Sequence, residues 1–553
     1  MSPASVPRRR LAVGLLQLDI CAALGEPALQ HRYCTDVVRP LLDLLASNPD
    51  VRLGLAAAGA ALEFLAENHP DELGALSRLA ARGQIELISS VFAPAAWPLF
   101  PFRDLLSNIE LNRGVLRQLG LPPSRAFHTD DGFFGPGVEK LAGEFDYALC
   151  RDTYFTAWAH GPCPSGLGYL GRMPVLIGAG SILDELARDL IAVSGPSSRV
   201  MSTFHKARIE EAVRAPLHSA PAAVQRISGG ISWHWYHFGP AHPFACTAGP
   251  RDRERLFSDA AWLELVSGQL RSLSAAGWNF ATPSMLFDHL KAASATQPLP
   301  VLPDGGWDPR ASAGMLQWSG RLNQRHSPAA QLALIWRARP AALAAGDGGQ
   351  DAQQHRRLLA LAQSAHGLDP AYPAAAMSVR EAAEHLPRTL GSGHPSAYST
   401  IVEGETHLAD AEVYGADGNL AWFRDERGAQ VCEARFRQEE GECGVRFRLP
   451  EGTEMLAHCP CGHEANPIPI PLDRLRPLAH WLPLPNGLIS LADGLHVIRV
   501  NATCPVPAHV EAGEPWLEFG IEAAEGKIHE WRFFVLRGER NAALARANSI
   551  NAI

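Results

Sequence analysis

The sequence predicts an α/β chain: a parallel sheet or barrel, then a helical segment, then an antiparallel β domain. Three observations carry this. In the N-terminal half, apolar runs of strand length alternate with amphipathic stretches of helical period, joined by short connections. A proline- and glycine-rich junction, ATQPLPVLPDGGWDPR (295–310), then gives way to an Ala/Leu/Gln/Arg-rich region at 327–390. From Ala397 onward the pattern switches to alternation of apolar and polar residues. The expected parts are 1–297, 298–395 and 396–553.

Taken in order, LAVGLLQLD (11–19) reads as a buried strand and DVVRPLLDLLASN (36–48) as a helix. VRLGLA (51–56) is a strand, and GAALEFLAENHPDELGALSRLAARG is a helix pair broken at Pro70. QIELISSVF (84–92) is a strand, RDLLSNIELNRGVLRQLG (103–120) a helix closed by glycine, and SRAFHT a strand. A helix over 136–145 leads to strand YALCR (147–151). ISWHWYHFG, from Ile231, is an apolar strand, and DAAWLELVSGQLRSLSAAG (259–277) a helix. WNFATPSMLFDHLK supplies a last strand and helix. In the third part THLADAEVYG, AQVCEARFRQ, GVRFRLP, LHVIRVNATC, WLEFGIEAAEG and IHEWRFFVLRG read as strands, with ADGN and EEGE as turns, which predicts a β-sandwich.

Composition narrows the function classes. The 553 residues carry 49 basic and 58 acidic side chains, a net charge of −9, which argues against a nucleic-acid surface. Ten scattered cysteines do not make a disulfide framework, so a reducing, cytoplasmic setting is expected. The start, MSPASVPRRRLAVGLLQLDICAALG, reads as a first strand because its apolar run is short and Asp19 interrupts it. No apolar stretch has transmembrane length, so no membrane partner is expected.

The stretch RAFHTDDGFFGPGVEKLA (125–142) holds the most chemistry: two adjacent acids, Asp130 and Asp131, at a strand's C-terminal end. In parallel barrels that end collects the reacting groups. Either acid also suits the cap of the following helix, and capping suits Asp131 better. WHWYHFGPAHPF (233–244) gathers His234, His237 and His242 among Trp233, Trp235 and Tyr236. Aromatic rings stack on the apolar faces of sugars, and histidine donates to hydroxyls and moves protons near neutral pH.

Several stretches in order resemble glycoside hydrolase family 57, whose members are retaining α-glucan hydrolases, branching enzymes and 4-α-glucanotransferases. They are NPDVRLGLAAAGAALEFLAENHPDELGALSRLAARGQIELISSVFAP, GLPPSRAFHTDDGFFGPGVEKLAGEFDYALCRDTYF and LALAQSAHGLDPAYPAAA. The resemblance implies an incomplete (β/α)7 barrel, a helical subdomain and an appended β-sandwich. It places the nucleophile at Asp130, where the family has glutamate, and a substrate-site acid at Asp152. Of a His-Gln-Pro triplet only Gln17 remains, and Ala93-Pro94 stands for Glu-Pro. Where the family carries its acid/base aspartate, this chain has the segment of His234 and His237. The resulting expectation is an enzyme acting on an oligo- or polysaccharide, α-linked glucan or a related glycan, without a cofactor. Asp130, His234 and His237 would be catalytic; Gln17, Trp97, Asp131, Asp152, Trp233, Trp235 and His242 would bind substrate.

Two other readings use the same residues. One is a relative that binds glycan or protein without turnover, since four signature positions differ. The other is a metal-dependent hydrolase of α-mannosidase or deacetylase type, with His128, Asp130, Asp131 and His242 plus Gln17 or Asp19 around a divalent ion. HCPCGHEA (458–465) lacks the two-residue spacing of a zinc knuckle and reads as a turn with incidental Cys459 and Cys461.

Overall fold

The computed structural model describes residues 10–18, 20, 27–129, 134–135, 137–151, 166–178, 230–238, 261–294, 296–299, 335–336, 338–339, 350–364, 381, 399–400, 407–438, 442–449, 454–458, 469–471, 487–491, 493–500, 509–513, 516–522 and 528–551; of 230–238 it describes the backbone. The chain divides into two compact units. One comprises Met1–Pro94, Ile109–Gly132 and Val138–Val301; the other comprises Ala95–Asn108, Phe133–Gly137 and Leu302–Ile553.

The first unit is α/β, with a parallel sheet curled as a half-barrel. Strands β1 (Arg10–Leu18), β2 (Leu53–Ala57), β3 (Ile85–Ile88), β4 (Ala126–Phe127), β5 (Tyr147–Arg151), β6 (Gly166–Leu170), β7 (Met173–Gly178), β8 (Gly230–Phe238), β9 (Asn279–Ala281) and β10 (Thr296–Pro298) form two sheets. In one, β3-β2-β1-β8 are parallel neighbours and β9 also pairs with β1. In the other the order is β10-β6-β7-β5-β4, with β6 and β7 antiparallel. Both sheets feed one core: Val13 and Leu15, Ala56, Ile88, Ala126, Tyr147 and Leu149, Leu176 and Ala281 pack together. Each fully buried Leu or Val is worth about 1.5–3 kcal/mol, so this shared interior is the main force curling the sheet.

Helices α1 (Pro27–Tyr33), α2 (Arg39–Ala46), α3 (Gly59–Asn68), α4 (Pro70–Ala81), α5 (Phe102–Gln118), α6 (Ala261–Ala275) and α7 (Pro283–Ala292) accompany the strands; α5 belongs to this unit from Ile109 on. The helix expected at 36–48 runs back to Pro27 through a π turn, Cys34–Val38, where Arg39 N donates to Cys34 O. Pro40 explains the wider turn: it has no N–H for the carbonyl four residues before it. The helix expected at 136–145 is instead one 3-10 turn, Val138–Leu141. Gly137 and Gly143 stand at φ 99° and 101°, a conformation no α-helix contains.

α7 closes the N-terminal ends of the strands. Leu286, Phe287 and Leu290 enter the core, and the Phe287 ring stacks on Tyr147 with centroids 4.5 Å apart. Glu86 on β3 accepts from Ser284 N (2.7 Å), Ser284 Oγ (2.5 Å) and Tyr147 Oη (2.9 Å). Arg125, just before β4, grips Asp288 with both terminal nitrogens, at 3.0 and 2.9 Å. A carboxylate on the first turn of a helix meets unpaired N–H groups and the positive end of the dipole.

The second unit holds β11 (Ser399–Thr400), β12 (Ala411–Tyr414), β13 (Ala416–Arg424), β14 (Gln430–Gln438), β15 (Glu442–Arg448), β16 (Met455–His458), β17 (Pro469–Pro471), β18 (Leu488–Leu491), β19 (Leu495–Arg499), β20 (His509–Gly513), β21 (Trp516–Glu522) and β22 (Ile528–Arg537). These make antiparallel sheets of order β11-β13-β14-β22-β19-β18-β16-β17 and β12-β15-β21-β20. Cys432, Phe436, Val497, Trp531 and Phe533 of the larger sheet share a core with Val445, Phe447, Leu517 and Phe519 of the smaller. The larger sheet's other face packs Val431, Leu488, Ile498 and Phe534 on Ala543, Leu544 and Ala547 of α9 (Arg540–Ile550), after α8 (Gln350–Ala362) in the chain. ADGN is not a turn: it opens β13, whose ladder with β14 begins at Ala416 opposite Gln438. The reversal falls one residue earlier, at Gly415 (φ 65°). No helix among the described residues is long and apolar enough to cross a membrane.

Candidate functional site

Period-two geometry assigns each parallel strand a set of residues facing the shared core. On β1 that set begins with Val13 and Leu15, and Gln17 continues it at the C-terminal end, 2% exposed. β8 runs beside β1 in parallel register. Trp233, Trp235 and His237 lie opposite Val13, Leu15 and Gln17; His234 and Tyr236 lie opposite Gly14 and Leu16. The backbone therefore sorts the two candidate histidines. Residue 237 occupies the register position beside Gln17, and residue 234 the one beside Gly14.

β4 is short because only Ala126 and Phe127 pair with β5. Ala126 enters the core, while Phe127 packs against Phe145, with ring centroids 5.5 Å apart. His128 and Thr129 follow, 3% and 1% exposed. β3 and β4 share no backbone ladder; the Ser90 hydroxyl spans the gap. It donates to Ala126 O at 2.8 Å and accepts from His128 N at 2.9 Å. Neighbouring Ser89 is fixed from the other side, where Asn112 Nδ2 on α5 donates to Ser89 O (2.7 Å) and Ser89 Oγ donates to Asn112 Oδ1 (3.2 Å). Gly59 N and Ala60 N donate to Val91 O and Phe92 O at 2.9 and 2.8 Å. A Cβ on Gly59 would run into Asn112 Oδ1, so the close packing there requires glycine.

Ser90 and Asn112 escaped the sequence reading. The available signal was a pair of hydroxyl residues, Ser89-Ser90, at the C-terminal end of an apolar strand, with an asparagine inside an amphipathic helix.

In the other unit, Trp97 lies in a 3-10 turn, Trp97–Leu99, and is 1% exposed. Ala96 N donates to Gln363 O at 3.0 Å, and Phe100 stacks on Trp336 with centroids 6.1 Å apart. Beneath them is a buried ion pair: Arg339 Nε and Nη2 donate to Asp104 Oδ2 and Oδ1 at 2.7 and 2.9 Å, and Gln363 Nε2 donates to Asp104 Oδ2 at 2.7 Å.

Asp130, Asp131, Asp152, His242 and Asp19 lie outside the described residues, as do Cys459 and Cys461. Among the described residues no group of three or more His, Cys, Asp or Glu is placed to hold a metal ion. At the closed end of the strands, burial first and the nearby Glu86 charge second push the Tyr147 phenol well above its ordinary value. The hydrogen bonds from Arg125 hold Asp288 below the usual carboxylate range.

No family model matches the chain. Among characterised proteins, the 4-alpha-glucanotransferase of Thermococcus litoralis is 33% identical over 119 residues, 21% of this chain and 18% of the relative. An alpha-amylase of Pyrococcus horikoshii is 26% identical over 119 residues, 21% of this chain and 19% of the relative. The match thus spans about a fifth of these relatives' length. Among solved structures, the 4-alpha-glucanotransferase of Thermococcus litoralis aligns over 97% of this chain and 100% of its own at 13% identity, with a TM-score of 0.47. A GH57-type branching enzyme of Pyrococcus horikoshii aligns over 68% and 87% at 11% identity, with a TM-score of 0.43. The chain is a divergent relative of glycoside hydrolase family 57.

Proposed function

We propose that this divergent relative is a carbohydrate-active enzyme acting on an α-linked glucan or a related glycan by retaining hydrolysis or glycosyl transfer. The observation that carries the reading is the sequence match to glucanotransferases and amylases. In this reading the half-barrel is an incomplete (β/α)7 barrel. A helical subdomain at 298–395 and a β-sandwich at 396–553 follow it.

The chemistry is assigned as follows. Asp130, two residues beyond the core-facing His128, is the nucleophile or the carboxylate that stabilises the oxocarbenium-like transition state. Retaining hydrolysis needs a second proton-transferring group about 5–5.5 Å away. The histidine segment of β8 supplies it, and the register favours His237 over His234. Gln17 hydrogen-bonds sugar hydroxyls. Trp233, Trp235 and Trp97 stack on rings, with Asp131, Asp152 and His242 as further substrate contacts. Trp97 is buried, so its part requires ligand to uncover one face of the indole.

The test is incubation of the purified protein with maltoheptaose, reading reducing ends and the distribution of chain lengths. Turnover abolished by Asp130→Asn supports the reading. Glycan binding without turnover, unchanged in Asp130→Asn, replaces it with a binding protein on the same scaffold. Stoichiometric zinc by elemental analysis, with turnover lost on chelation, replaces it with a metal-dependent hydrolase.

A further inference from the structure

We propose that Ser90 is the positioning residue of the candidate site, aiming the end of β4 at the place where substrate binds. This rests on the assignment of Asp130 as the reacting carboxylate. In a parallel sheet each strand is normally fixed by neighbours on both sides. Among the described residues β4 has a backbone ladder with β5 alone, over two residues. On its other side, Ser90 Oγ holds the carbonyl before Phe127 and the N–H after it, at 2.8 and 2.9 Å. The Ser90 hydroxyl thus makes both bonds across this gap, with Ser124 Oγ a second donor to Ala126 O at 2.7 Å, just before Asp130 in sequence.

The residues around Ser90 make this a rigid reference. Ser90 is 3% exposed. Asn112 fixes its neighbour Ser89 on the carbonyl and on the hydroxyl, and the first residues of α3 fix Val91 and Phe92. Both α3 and α5 are thereby tied to the end of β3, and Ser90 passes that position to His128 N. A hydroxyl is required chemically, because the group must donate and accept at once. Alanine can do neither. Threonine does both, cysteine does both weakly. A displacement of about 1 Å in a reacting group costs about 100-fold in rate, while substrate contacts made by other strands are untouched.

The test uses the full chain with Ser90→Ala and Ser90→Thr, and with Ser90→Cys as the near-isosteric substitute if alanine does not fold. Two readouts are taken. Amide hydrogen exchange at His128 reports the bond itself and needs no activity. Steady-state turnover of maltoheptaose reports kcat and KM separately. As control, Glu86→Gln loosens the opposite end of the same strands.

Ser90→Ala is expected to raise His128 exchange at least about tenfold and to lower kcat about 100-fold with KM within about twofold, with Ser90→Thr restoring both. Glu86→Gln should keep wild-type kcat. His128 exchange unchanged in Ser90→Ala overturns the proposal, and so does a loss of kcat shared equally by Glu86→Gln. If Asp130→Asn retains turnover, the catalytic assignment fails, and with it the claim that Ser90 aims a nucleophile. The exchange result then still reports whether Ser90 holds β4.

Discussion

The seal under the half-barrel offers the most direct test of the fold. Glu86 receives three donors, and Glu86→Gln changes almost nothing but charge and one acceptor. The amide oxygen can face Ser284 N while its NH2 faces the Ser284 and Tyr147 hydroxyls, both of which can turn to accept. The bonds survive but lose their charge. Hydrogen bonds to a charged group contribute about 1.5–3 kcal/mol and neutral ones about 0.5–1.5, a difference of about 1 kcal/mol each. Three bonds give about 3 kcal/mol, and removing a partly buried carboxylate returns some of its desolvation cost. The expected loss is therefore about 2 kcal/mol. Glu86→Leu should cost more, about 3–4 kcal/mol, because it leaves a helix N–H without a partner and the buried Tyr147 phenol and Ser284 hydroxyl with only each other. Urea denaturation followed by tryptophan fluorescence measures both, since Trp278 lies just before β9 and α7. A Glu86→Gln midpoint indistinguishable from wild type, with Glu86→Leu no worse, would refute the seal.

Other predictions follow from single contacts. Arg339→Met should cost about 3–5 kcal/mol because Asp104 stays charged and buried, while the double variant Arg339→Met/Asp104→Leu should recover most of that; a double-mutant cycle in urea reads the coupling. His458 is 1% exposed, and burial, then Arg540 and His496, lower its pKa to about 4. Its folded value lies below the unfolded one, so its contribution is full above about pH 6.5 and is lost as pH falls toward 4. His458→Leu should flatten the fall in unfolding free energy between pH 7 and pH 4.5, read by urea titration, by about 2–3 kcal/mol; an unchanged pH profile would discount the burial. If β8 supplies the proton-transferring group, His237→Ala should lower kcat on maltoheptaose about 100-fold or more, whereas His234→Ala should change it less than about threefold. The reverse order would place the functional face of β8 on the other side.

Much of the fold was legible because burial leaves a periodic trace. β1, β2 and β3 are near-continuous apolar runs, as strands covered on both faces must be. The long helices show their buried stripe. Legibility failed where conformation depends on single residues or distant partners. VEKLA carries a helical pattern, but flanking Gly137 and Gly143 hold positive φ and stop it after one turn. ADGN has turn composition, yet its own four pairs with β14 and five further pairs beyond it hold it in a strand; tertiary pairing outweighs local preference. The hairpin of β6 and β7, GLGYLGRMPVLIG, went unread because its glycines mask the alternation. In the candidate site, the acids and aromatics are nominated by residue type, and Asp130, Asp131, Asp152 and His242 lie outside the described residues. Ser90 is not nominated this way: a serine on a buried strand has no sequence mark that separates a bridging hydroxyl from filler.

The two ends of the parallel strands are built from different materials, and this bears on how the chain has diverged. At the N-terminal end, charged groups are spent on closure: Glu86 on α7, Arg125 on Asp146 and Asp288. At the C-terminal ends of β1, β3 and β4 the described residues instead include the uncharged side chains of Gln17, Ser89, Ser90 and Thr129, all buried. A buried neutral group keeps its hydrogen-bonding geometry without the desolvation cost of a charge. On this argument, substitutions at the C-terminal end leave the scaffold's stability less affected than substitutions at Glu86 or Arg125, because closure is secured at the other end. The chemistry at that end is then free to change while the half-barrel beneath it does not.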